Sequence, residues 1–205
     1  MCENCFLVRR IEESDINNVV SIHCASFQNF FLTQLGTDFL NVYYKAFSKS
    51  GKGVLLGCFN GEILVGFCAA TFKSNGFNTG LIIDNFYSFV LQAFKLFFTN
   101  IKALIRLANN FRKVNQTVKD KGQYAELYSI AVSPLMQNSG IGKLLLNELE
   151  SQLKQRKCNK LTLTTDYDNN NKTLQFYEKM GYNTMYEFIT YPNRKMYRLF
   201  KDLQL

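Results

Sequence analysis

The chain has 205 residues, 47% hydrophobic and 20% charged, enough apolar material for one ordinary domain with a packed core. Its 24 basic residues against 16 acidic ones leave a formal charge of +8. That balance favours anionic partners such as nucleotides, phosphorylated carriers, nucleic acid or acidic lipid, without choosing among them. Two prolines and the lack of any low-complexity tract or repeat argue against long disordered tails. No run reaches the roughly 20 apolar residues of a membrane span, and the opening MCENCFLVRRIEES has no apolar signal core. A cytoplasmic protein is expected.

In chain order, FLVRR from Phe6 to Arg10 reads as a short strand. Ser14 is a good N-cap, with Asp15 in the first turn of a helix whose stripe is Ile16, Val19, Val20, His23, Cys24 and Phe27. A second helix is expected over Thr37–Phe47. Gly53–Phe59 and Glu62–Thr71 are apolar runs separated by Asn60-Gly61, a type I′ hairpin signal. From about 72 to 122 the pattern breaks into a Phe-rich helical insertion, centred on Asp84–Val114 with a break near Thr99-Asn100. Tyr124–Val132 is the fourth strand. Gly140–Lys157 is an amphipathic helix with Leu144, Leu145, Leu149 and Leu153 inward. Leu161–Thr165 alternates as a strand, Asn170–Met180 is a helix stopped by Gly181, and Tyr182–Thr190 with Met196–Lys201 closes the chain as an antiparallel pair. The order implies an α/β chain of one domain, with a mixed, mainly antiparallel sheet of about seven strands and helices on both faces.

Six cysteines are scattered at Cys2, Cys5, Cys24, Cys58, Cys68 and Cys158. Cys2 and Cys5 make a CxxC without a second pair, and His23 is the only histidine, in a helical pattern. A zinc site needs more ligands than that. No metal is expected; the cysteines read as free thiols, several of them buried in strands.

The stretch SIAVSPLMQNSGIGKL, Ser129 to Leu144, carries the chemistry. A strand runs into a loop, and Gln137, Asn138, Ser139, Gly140, Ile141, Gly142 and Lys143 open a helix. Glycines let backbone amides approach an anion, and the first helical N–H groups have no internal acceptors. This is neither a P-loop nor a dinucleotide fingerprint, since Lys143 precedes Leu144 and no three-glycine pattern exists. Alone it reads equally as a glycine-softened helix start.

QNSGIG resembles the [QR]xxGx[GA] motif of the GNAT superfamily, which grips the pyrophosphate of acetyl-CoA. The resemblance runs from IAVSP through LLLNELESQL into LTLTTDYDNNNKTLQFYEKMGY. There Asn170, Thr173 and Tyr177 stand at the family's Asn, Ala and Tyr. It implies direct acetyl transfer to a primary amine, with acetyl-CoA as cosubstrate, Gln137–Lys143 and Asn170 at the cofactor, and Ile130, Ala131 and Val132 beside the pantetheine arm. Tyr177 would protonate the departing thiolate; an ordinary phenol, with a pKa of about 10, suits that task. Packing alone would also explain it. Glu126 matches a strand-four glutamate that some members use as base, with burial expected to raise its pKa. Asp166 and Asp168 are rivals. ASFQNFFLTQLGTDFL and TTDYDNN are similar to a GNAT subgroup associated with polysaccharide biosynthesis, which implies an amino sugar on a nucleotide or lipid carrier as acceptor.

The helix over 86–111 is apolar nearly all round, with basic residues interspersed. It suits an anionic membrane surface, a dimer or partner contact, or packing within the domain. A peptide or protein acceptor and a non-catalytic acyl-CoA sensor are the alternative functions. No helix-turn-helix, zinc-finger or RNA-binding signature is present, so no nucleic-acid partner is expected.

Overall fold

The computed structural model describes residues 6–28, 30–112, 120–190 and 193–204, with the backbone alone for 108–112. The elements are β1 (Phe6–Arg10), α1 (Ile16–Ser26), α2 (Phe31–Gln34), α3 (Thr37–Lys49), β2 (Gly53–Asn60), β3 (Ile63–Thr71), α4 (Phe77–Asp84), α5 (Phe86–Thr99), α6 (Ile101–Arg112), β4 (Ala125–Val132), α7 (Ile141–Gln155), β5 (Lys160–Asp166), α8 (Asn171–Lys179), β6 (Asn183–Thr190) and β7 (Arg194–Asp202). Seven strands form one sheet in the order β1-β2-β3-β4-β5-β7-β6. Every pairing is antiparallel except β4 with β5.

Helices cover both faces, and each face has its own core. On one, α1 and α3 bury Val19, Leu40, Tyr44 and Phe47 against Phe67, with α4 to α6 extending the layer. On the other, α7 and α8 bury Leu145, Leu149 and Tyr177 against Leu56, Cys68 and Leu163. Strands β2 and β3 are therefore covered on both sides, which is why they read as unbroken apolar runs rather than alternating ones.

Four sequence expectations change in detail. Ser14 is not the cap: it lies inside a 3-10 turn over Glu13–Asp15, and α1 begins at Ile16. There Asp15 pairs with Arg9 at 2.7 Å and accepts the Glu12 amide at 2.9 Å, tying the turn to β1. The hairpin turn is one residue later than expected. Asn60 still pairs, with Ile63, and Gly61 at φ 61° is the first central residue; Glu62 is not in the left-handed region, as in a type II′ turn. Leu144 is exposed, and Leu146 takes the inward place beside Leu145, Leu149 and Leu153. The insertion breaks at Asn100 as expected, but it begins with an extra helix, α4. Val114 and the CxxC cysteines lie outside the described residues.

The close of α8 follows the expected glycine stop. Gly181 has φ 85°, its amide reaches Glu178 O at 2.9 Å, and the Tyr182 amide reaches Tyr177 O at 2.9 Å. That pair of bonds is a Schellman cap.

Candidate functional site

Strand β4 is held differently on its two sides. On the β3 side it is paired along its length, Glu126 with Thr71 through to Val132 with Gly66. The register slips between Ala69 and Ala70, leaving Tyr128 as the extra residue of a bulge. On the β5 side only Ala125, Glu126 and Leu127 pair, with Leu161, Thr162 and Leu163. Beyond Leu127 the edge of β4 has no strand partner among the described residues. Ile130, Ala131 and Val132 lie on this free edge. The side chains of Ile130 and Val132 pack towards α7, that of Ala131 towards α1.

The turn after β4 leads from this edge into α7. Ser133 N bonds Val65 O at 2.8 Å, and a short 3-10 turn covers Pro134–Met136. Gln137, Asn138, Ser139 and Gly140 are exposed. Asn138 at φ 63° and Gly140 at φ 79° are both left-handed. The first amide accepted within the helix is that of Leu144, by Gly140 O at 3.1 Å. The amides of Gly140, Ile141, Gly142 and Lys143 thus have no helical acceptor, an arrangement that, with the helix dipole, can cradle an anion. A Cβ on Gly140 would meet nothing within 4 Å, so its glycine is required by the backbone angle alone. Gly66 has the opposite reason. A Cβ there would come within 2.9 Å of Ile141 Cγ2 and 3.0 Å of Ala131 O. Its absence lets the first turn of α7 lie directly on β3 and β4.

Tyr177 comes from α8 on the same face and is buried, with its ring 5.5 Å from that of Tyr182. Burial pushes its phenol well above the usual range, and the nearby Cys68 thiol adds to the rise. Cys68 is the cross-strand partner of Ile130, so the phenol lies on the face of the sheet to which Ile130 points. It stays protonated at working pH, but burial also makes it a weaker acid than the ordinary phenol expected from sequence. Asn170 holds the turn before α8: its side-chain amide donates to Thr165 Oγ1 at 2.6 Å and Asp166 O at 2.8 Å. These bonds fix the start of α8.

Glu126 is buried on β4, two residues before the bulge, but not in apolar surroundings. It accepts hydrogen bonds from Ser74 Oγ and Arg198 Nη1. Arg198 is itself mostly buried, and its Nε has no partner. The isolated carboxylate expected from sequence is a member of an ion pair. Asp166 is likewise held by both arms of Arg194, whereas Asp168 is exposed.

Two groupings were not anticipated. Ser26 at the end of α1 donates to Val132 O at 3.4 Å. Phe27 stacks edge-on against Phe30 at 5.1 Å, and Phe30 carries the Arg194 guanidinium at 4.7 Å. With Asp166 this makes a bridge from the end of β4 to the end of β5, across the mouth of the split. Beneath it, His23 Nδ1 is 2.7 Å from Tyr44 Oη, which is also hydrogen-bonded by Ser129 of β4. Burial lowers His23 to about 4, and its Nε2 is buried without a partner. Apart from Phe27–Phe30, the pairings span 21 residues or more, and local pattern carries no signal for them. A separate cavity of about 680 Å³ lies at the other end of β4, lined by Lys73, Lys121, Lys157 and Lys160, away from the split. No cluster among the described residues could hold a metal ion.

Comparison with known proteins agrees with this layout. The acetyltransferase (GNAT) family model matches residues 16–182. The [ribosomal protein bS18]-alanine N-acetyltransferase of Haemophilus influenzae is 43% identical over 68 residues, 33% of this chain and 43% of that protein. The chain therefore matches less than half the length of that relative. The ribosomal-protein-S18-alanine N-acetyltransferase of Escherichia coli superposes with a TM-score of 0.62 at 14% identity, over 98% of this chain and 95% of the other. The Salmonella typhimurium protein yncA, solved with its cofactor acetyl-CoA, gives 0.60 at 12% identity over 98% and 95%. At such identities the superpositions speak for the fold alone. With the family match spanning most of its length, the chain belongs to the acetyltransferase (GNAT) family, an acyltransferase family whose cosubstrate is acetyl-CoA.

Proposed function

We propose that this protein is an N-acetyltransferase that moves an acetyl group from acetyl-CoA to a primary amine by direct attack. One observation carries the reading: the free edge of β4 runs straight into four unaccepted amides at the start of α7, with a protonated Tyr177 on the same face. These residues fit the cosubstrate. The amides of Gly140–Lys143, with Gln137, Asn138 and Ser139, take a pyrophosphate. The backbone of Ile130–Val132 takes an extended amide-bearing arm as a strand would. When bound, acetyl-CoA supplies an activated acetyl thioester.

The chain's own groups do the rest. Tyr177 holds a proton for the departing sulfur. Glu126, at the bulge, is the proposed acceptor of the amine proton, with Arg198 and Ser74 fixing its orientation. Asp168 is the rival that no ion pair occupies. Among the described residues no cysteine or histidine is arranged as a nucleophile–base pair, which favours direct transfer over an acyl-enzyme.

For the acceptor, the similarity to ribosomal-protein alanine acetyltransferases supports the N-terminal amine of a protein chain. A second reading has its own observation. The Phe30–Arg194–Asp166 bridge narrows the mouth of the split, which suits a compact acceptor such as an amino sugar better than a polypeptide. The test is acetyl-CoA calorimetry followed by thiol release with alanine-starting peptides and with nucleotide-linked amino sugars. Release with one class assigns the acceptor. Tight binding with no release from any amine favours a sensor, and no binding overturns the reading.

A further inference from the structure

The insertion leaves a large apolar surface uncovered. Helices α4 and α5 meet at 91°. The turn directs α4 into the core, where Phe77 and Leu81 are buried, and α5 along the outside. Helix α5 is anchored by Phe89, whose ring lies 5.8 Å from that of Phe39 on α3, and by the buried Leu96. At 100° per residue, Phe89 and Leu96 point one way. Tyr87, Val90, Leu91, Phe94, Phe97 and Phe98 occupy an arc of about 120° on the opposite side. That outer arc is exposed: Phe94 by 63% and Phe98 by 70%. Of the 17 large apolar side chains exposed among the described residues, 10 lie between Ile83 and Ile105. Scattered surface apolar residues need no explanation, but a continuous arc of them does.

The insertion itself carries charge of one sign. Between Asp84 and Asp120 the sequence has no acidic residue and carries Lys95, Lys102, Arg106, Arg112, Lys113 and Lys119. Lys95, at the rim of the arc, is paired with Asp38 of α3, whereas Lys102 is exposed at the start of α6. A two-fold contact between copies would set this basic segment against itself. An anionic surface would instead meet apolar burial and cationic rim together. Among the described residues no single helix is long and apolar enough to cross a bilayer. The 14 residues of α5 span about 21 Å against a hydrocarbon core of about 30 Å.

We propose that α5 and the start of α6 form a docking surface for anionic lipid bilayer, such as a cytoplasmic leaflet, with α5 lying in the interface plane. The aromatic arc enters the headgroup and acyl boundary, and the exposed Lys102 beside it meets lipid phosphates. The surface is independent of the transfer chemistry, so loss of activity does not bear on it.

The test is co-sedimentation of the full chain with vesicles of phosphatidylcholine, with and without phosphatidylglycerol. The expected result is binding to the anionic vesicles that weakens with added salt. The pair Phe94→Glu and Phe98→Glu should weaken it by about tenfold or more. Lys102→Gln should weaken it only on the anionic vesicles. An unchanged acetyl-CoA affinity in each variant shows that the fold survives. Absence of sedimentation with anionic vesicles, or equal sedimentation of the double glutamate variant, overturns the proposal. So does a dimer in analytical ultracentrifugation that the same variant dissociates, which would assign the arc to a second copy.

Discussion

His23 gives a perturbation that can be followed through one group, because it is the only histidine in the chain. Its ring is 2% exposed, among Phe27, Tyr44 and Phe67, and burial lowers its pKa from 6.5 to about 4. The unfolded chain takes up the proton near 6.5 and the folded chain does not, so its contribution to stability is complete above 6.5 and is lost as pH falls towards 4. At about pH 5 the imidazole of the unfolded chain is nearly all protonated and that of the folded chain is not, which corresponds to a loss of about 2 kcal/mol relative to about pH 7.5. Urea unfolding at the two pH values measures it. Carboxylates add their own slope. Against the cost of burial, hydrogen bonds hold Asp15 (from Arg9) and Asp120 (from Tyr124 and Tyr186) below the ordinary range. The comparison is therefore with His23→Gln, which keeps an acceptor for Tyr44 and removes the titration. The difference in pH dependence between the two proteins should be about 2 kcal/mol. Equal slopes, or an imidazole that titrates by NMR near 6.5 in the folded protein, would refute the reasoning.

Further outcomes follow from the site. Tyr177→Phe should lower kcat by roughly a hundredfold with acetyl-CoA affinity unchanged; full turnover in steady-state assays would return Tyr177 to a packing role. Gly140→Ala should cost about 1 kcal/mol of stability from its left-handed angle. It should also weaken acetyl-CoA binding by about tenfold through displaced amides; unchanged calorimetric affinity would remove the cradle from the site. Glu126→Gln leaves Arg198 without its ion-pair partner and should destabilise the fold by about 3 kcal/mol. If Glu126 also accepts the amine proton, the acid limb of the kcat/KM profile should move. An unmoved limb with lowered stability would make the residue structural and direct attention to Asp168.

What the sequence could reveal was decided by the range of the interactions involved. The loop Gln137–Gly142 was legible because its demands are local: left-handed angles, a helix start, and a glycine where a backbone opens. The Gly181 stop was legible for the same reason. Glu126 was found, but its surroundings were not, since Arg198 is 72 residues away and reaches it through the register of β5 with β7. Helix α4 was missed because FNTGLIID shows no amphipathic period and contains a glycine at its centre. Leu144 and Leu146 were exchanged because the LLL run around Leu145 fixes the helix but not its rotation. The exposed arc of α5 was visible as a Phe-rich period, but which side faces outward was decided by Phe39, on another helix.

The three paired residues between β4 and β5 also have a mechanical meaning. The sheet is two plates, β1 to β4 and β5 to β6, riveted at one end and free at the other. The rivet is parallel, so the connection between its strands runs back along the sheet through α7. The helix that opens with the anion cradle is therefore also the arm that sets the angle between the plates. A change in that angle widens or closes the gap without breaking a strand pair in either plate.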